Sequence, residues 1–138
     1  MNIKRLSIGT IVGAILLYVL GYVIWVWLFA DFFAAHKGSA MGVDREMPIQ
    51  WAMILGALLY GLMITLALEM RTGPVSLVDG VKVGVVVGLL LWGTADFTIY
   101  ALTNISTLTS AFADTLLEGV HGGITGGIVA LILGKVGR

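Results

Sequence analysis

Four long apolar runs, separated by short polar stretches, set the layout of the chain. A bilayer core of about 30 Å needs about 20 apolar residues in helical form. Residues 6–30 meet this without a single charge, and Tyr22, Trp25, Trp27 and Phe29 cluster toward their far end. Residues 49–68 form a second run, preceded by Pro48, which suits a helix start because its missing N–H is not needed there. The third run, 81–103, follows a Ser76-x-x-Asp79 pattern of capping-box type and contains Asp96. The fourth, 111–133, carries Asp114, Glu118 and His121 in its first half. Connections of about 18, 12 and 7 residues predict an all-α integral membrane protein, one domain over 1–138, with four spans in an up-down bundle.

Composition agrees with that reading. The chain is 59% hydrophobic and 12% charged, with a mean hydropathy of +1.02. A soluble domain would carry about a quarter charged residues. Eight basic and eight acidic side chains cancel, so no net field favours nucleic acid. Without cysteine there is neither a disulfide framework nor a thiolate metal site. Lys4 and Arg5 ahead of an apolar run resemble the start of a signal peptide. The run is too long for one, and an uncleaved first span is expected. Lys4, Arg5, Arg71, Lys82, Lys135 and Arg138 fall on one side of the spans, against Lys37 and Arg45 on the other. The positive-inside rule then predicts both termini cytoplasmic.

Charged side chains within spans are costly, about 2.5–3.5 kcal/mol on insertion scales, and usually mark a functional pathway. Asp114, Glu118, His121 and Thr125 recur at offsets of four, three and four, on one face of the fourth span. Trp92, Asp96, Tyr100 and Thr103 form a comparable stripe on the third. Asp96 and Glu118 each lie seven residues from their end of the connecting loop, so the spacing predicts that they meet at similar depth. A cluster of Asp96, Glu118 and His121 suits a proton or ion pathway, with Asp114 at its outer entrance and Tyr100 and Thr125 along it. The same three side chains are the candidate ligands if a metal binds, although the second carboxylate–histidine pair of metal-binding bundles is missing. No cofactor is predicted, and the expected partners are the lipid bilayer and a second copy of the chain.

The competing reading is a non-catalytic membrane protein whose polar network only holds the bundle together or binds a lipid or protein. No Gly-rich phosphate loop, HExxH or GxSxG occurs, so an enzyme is the weaker expectation. Gly84 and Gly88 on the third span, and Gly119, Gly123 and Gly127 on the fourth, have the four-residue spacing of close helix packing. The neighbouring Gly122 and Gly126 make the fourth span the place where a bend is expected. His36 is expected to be solvated, Phe32 and Phe33 to anchor at the interface, and Glu69 to be a surface charge.

The run Gly84-x3-Gly88-x3-Trp92-x-Thr94-x-Asp96-x-Thr98, with Asp114 eighteen residues beyond Asp96, resembles small bacterial membrane proteins catalogued as domain of unknown function 2177. The resemblance covers the second half of the chain, and the first half only in span layout. Ile99 departs from the asparagine usual there, and Glu118 and His121 lie outside the pattern. It implies a four-helix membrane protein and draws attention to Asp96 and Asp114, without implying an activity.

Overall fold

In a computed structural model, which describes residues 2–136, five α-helices account for most of the chain. Helix α1 covers Ile3–Gly21 and continues into a π-helical segment, Tyr22–Leu28. The short α2 covers Ala30–Ala35, α3 Gln50–Glu69, α4 Leu77–Leu102 and α5 Leu108–Lys135. Four helices, Ile3–Leu28, Gln50–Glu69, Leu77–Leu102 and Leu108–Lys135, are long and apolar enough to cross a membrane. The chain is thus an all-α, four-span membrane protein. Its outer surface is apolar: Ile15, Leu59, Leu90 and Leu116 are each more than half exposed, as lipid-facing positions require.

The helix starts follow from capping chemistry. Asn2 accepts the Lys4 and Arg5 amides through its side chain. Ser76 and Asp79 form a reciprocal capping box, each side chain 3.1 Å from the other's amide, so α4 starts four residues before the expected position 81. Thr107 and Ser110 do the same for α5, which starts three residues before position 111. Pro48 lies outside α3, whose cap is Ile49.

Glycines set how closely the spans approach. A methyl group placed on Gly80, Gly84 or Gly88 of α4 would overlap the carbonyl of Gly126, Gly122 or Glu118 of α5, respectively. Gly119, Gly123 and Gly127 form a second row that receives α4 side chains. There a Cβ would come within 2.9 Å of Leu89, 2.8 Å of Val85 and 2.9 Å of Val81. Both rows therefore serve one interface. Gly13 of α1 and Gly61 of α3 make a comparable contact between antiparallel helices, while Gly9 faces Thr65. The α1/α3 and α4/α5 pairs join through contacts of α1 and α3 with α5 and of α3 with α4. Leu17, Tyr60, Ile64, Leu68, Val129, Ala130 and Leu133 fill the centre.

Three expectations change. The departure from α-helical geometry lies in the first span, where the Phe29 amide bonds Ile24 O five residues back, while the glycine-rich α5 runs unbroken. Packing of α5 glycines against α4 supplies the rigidity that their helix propensity lacks. Glu69 is not a surface charge: it pairs at 2.9 Å with Arg5, and both side chains are less than a tenth exposed. Arg5 also donates to Leu133 O at 2.6 Å and to Val136 O, capping the carbonyl end of α5. Arg71 pairs instead with Asp79. His36 is half-buried, its ring 4.3 Å from that of Phe32, and its carbonyl accepts from Thr107.

Two consequences can be measured by thermal melting in detergent. Gly84→Ala is expected to destabilise by about 1–3 kcal/mol, the scale of overpacking. Gly56→Ala, with nothing within 4 Å of its added carbon, should be neutral or slightly stabilising. Arg5→Met strands Glu69 and two helix-end carbonyls, and an expected loss of about 3–5 kcal/mol marks a broken buried pair.

Candidate functional site

The polar face of α5 is buried where it meets the other spans. Glu118 and His121, one turn apart, are 5% and 4% exposed in an otherwise apolar bundle. His121 Nδ1 lies 2.9 Å from Glu118 Oε2, and its Nε2 lies 2.9 Å from Leu17 O of α1. A backbone carbonyl only accepts, so Nε2 carries a hydrogen. A single proton then occupies the Glu118–Nδ1 contact, either on the carboxyl or on the ring. In both forms the pair is net neutral, which makes its burial tolerable.

Every span contributes to the surroundings of this pair. The Trp25 ring, from the π segment, sits 5.2 Å from the His121 ring, and its indole N–H donates to Asp114 Oδ1. Tyr60 of α3 stands edge-on to His121 at 6.1 Å, and its hydroxyl reaches toward Glu118 O at 3.4 Å. Gly21 of α1 lies beside the ring, where a Cβ would stand 3.7 Å from His121 Cε1, an ordinary contact distance. Asp96 of α4, 8% exposed, accepts from the Thr115 hydroxyl at 3.0 Å, and the Asp114 carboxyl lies beside it. Among the described residues no Lys or Arg pairs with Asp96 or Asp114.

The expected meeting of Asp96 with Glu118 is replaced by contacts one turn nearer the loop. The reason is the helix start. With α5 capped at Thr107, Glu118 lies ten residues into its helix, whereas Asp96 lies six from the end of α4. Glu118 is therefore deeper, its backbone facing Gly88, which stands about two turns before Asp96 on α4. The α4 stripe divides as well. Trp92 packs against the core with its indole N–H unpartnered, Asp96 turns inward, and Tyr100, 41% exposed, and Thr103 turn outward. Thr125 lies one turn inward from His121 and is fully buried.

Among the described residues no group of three acidic or histidine side chains is placed to hold a metal ion. The candidate set Asp96, Glu118 and His121 fails because both imidazole nitrogens are engaged and Asp96 belongs to a different turn. Sequence reasoning missed Tyr60, Thr115, Leu17 and the role of Trp25. Thr115 was readable, three residues before Glu118 on the same helix. The Leu17 carbonyl left no signal, since any residue offers one. No family model matches this chain, and the searches of curated proteins and of solved structures found no match to it.

The proton shared by Glu118 and His121 makes isosteric and apolar replacements behave differently. Glu118→Gln retains a partner for Nδ1 and should stay within about 1 kcal/mol of the wild type. Glu118→Leu leaves that nitrogen unpaired and should cost about 1–3 kcal/mol in denaturant titration.

Proposed function

We propose that this chain is a small proton- or ion-coupled membrane transporter. Asp114 and Asp96 form its outer approach, and the Glu118–His121 pair is its deeper proton-binding group. The observation that carries this reading is the pair itself: a buried carboxyl 2.9 Å from a buried imidazole whose other nitrogen lies 2.9 Å from a backbone carbonyl. Intramembrane carboxyl and histidine side chains arranged in depth are the usual parts of a proton relay. Imidazole can take a proton on one nitrogen and release one from the other. The two outer carboxyls, which pair with no Lys or Arg among the described residues, favour a cation over an anion at the entrance.

The charge asymmetry supports cytoplasmic termini, with the Arg5–Glu69 end facing inward. The likeness to the small bacterial family supports a bacterial inner membrane and includes Asp96 and Asp114. A second reading, a network that only fixes the bundle, is favoured by the same bonds: Leu17 O to His121, Trp25 to Asp114 and Thr115 to Asp96.

Flux through liposomes containing the purified chain and a pH-sensitive dye separates the two. For Asp96→Asn the expected outcome is a fall in proton flux of about tenfold or more, the scale of removing a proton-transfer group, with melting near the wild-type temperature. A variant that mainly melts early, or a wild type that moves no protons, supports the structural network instead.

A further inference from the structure

The connection from α2 to α3 crosses the end of the bundle opposite Arg5 and is bonded to it over one short stretch. The Gly38 amide donates to Ile105 O and the Ala40 amide to Asn104 O, both at 3.0 Å, and the Thr107 hydroxyl donates to His36 O at 2.8 Å. Lys37 and Ser106 face each other as an antiparallel bridge. Gly38 lets the two backbones meet, because a Cβ there would overlap the Asn104 carbonyl. Beyond Ala40 the chain leaves the core. Residues 41–56, which include the first turns of α3, are all exposed. The Lys37–Asp44 ion pair is exposed too and ties the stretch only to its own continuation. Farther along, Gln50 accepts from the Tyr18 hydroxyl, again at the surface.

The bonded stretch sits over the start of the polar face of α5. Thr107, Ala111, Asp114 and Glu118 follow one another on that face at helical spacing. Ser110 and Ala111 are 8% and 2% exposed, so the face is already covered one turn before Asp114. Asp96, beside Asp114, is buried as well. Lifting residues 36–40 breaks the bonds to Ile105, Asn104 and Thr107 but undoes no helix start. The α5 capping box holds without them, with Thr107 N on Ser110 Oγ at 2.9 Å and Ser110 N on Thr107 Oγ1 at 3.2 Å. A segment held by few hydrogen bonds and followed by exposed chain opens at a small part of the free energy of global unfolding.

We propose that residues 36–40 are a strap that closes the outer end of the Asp114–Asp96 site and lifts to admit water and the transported cation. Its effect on flux rests on the proposed transport role, whereas the opening itself does not.

Two changes push the strap in opposite directions. Gly38→Ala blocks its docking and should leave it lifted. Lys37→Cys with Ser106→Cys should lock it by a disulfide, in a chain with no other cysteine. Directly opposed residues of an antiparallel pair have Cα atoms about 4.5–5.5 Å apart, within reach of that bond. The Ser106 hydroxyl, buried and unpartnered, gives up no bond in the exchange.

Opening is read by mass spectrometry as the rate at which a water-soluble carbodiimide couples Asp96 to an added amine in the purified full chain. Oxidising the double-cysteine chain should slow coupling about tenfold, and reduction should restore it. Gly38→Ala, melting near the wild type, should couple faster than the wild type. If Gly38→Ala fails to fold, the lock alone decides. Equal coupling in the oxidised and reduced chain, or a disulfide that does not form, overturns the strap. In liposomes the formed disulfide should also lower proton flux about tenfold, reversibly. Flux that ignores the lock removes the strap from the transport path. Slowed coupling in a protein whose wild type moves no protons keeps the strap and overturns the transport reading.

Discussion

Backbone-to-backbone contact between α4 and α5 is the constraint on which the rest of the bundle depends. In a bilayer no hydrophobic force draws apolar helices together, so close van der Waals approach has to do it. Gly80, Gly84 and Gly88 bring α4 against the carbonyls of Gly126, Gly122 and Glu118. That contact fixes register, and register decides which polar groups share a turn. It also makes room for Tyr60, whose hydroxyl lies 2.7 Å from where a Cβ of either Gly88 or Gly122 would stand. The aromatic edge over His121 exists because two glycines leave space for it.

A second constraint acts on the polar interior, that buried polar groups in lipid find partners inside the protein, although the Trp92 indole N–H and the Thr125 hydroxyl do not. His121 does so by spanning two helices, with a carboxyl on one nitrogen and a carbonyl on the other. The π segment brings Trp25 to the same place, with its ring against His121 and its indole N–H on Asp114. Wide turns of this kind are frequent at functional sites. Here it lies in the span whose sequence carries no charge between residues 6 and 30.

The four spans were legible because hydropathy reads length and polarity directly. The polar face of α5 was legible too, since a period of 3.6 needs only one helix. What failed was the relation between helices. Asp96 and Glu118 appeared level until Thr107 and Ser110 moved the start of α5 by three residues, nearly one turn. Tyr60 and Leu17 were invisible for a related reason: their roles come from which helix faces which. Arg5 and Glu69, 64 residues apart in sequence, gave no local sign of pairing. Gly84 and Gly88 were correctly read as packing residues, because small side chains at four-residue spacing have few other uses in a span.

The Arg5 clamp also imposes an order on biosynthesis. Its carbonyl partners, Leu133 and Val136, follow it by 128 and 131 residues. While the ribosome is still making the last span, the guanidinium can already meet Glu69, but the two carbonyls it also binds do not yet exist. Only once α5 is made are all of its bonds in place, so the carbonyls of Leu133 and Val136 complete the seating of the first helix.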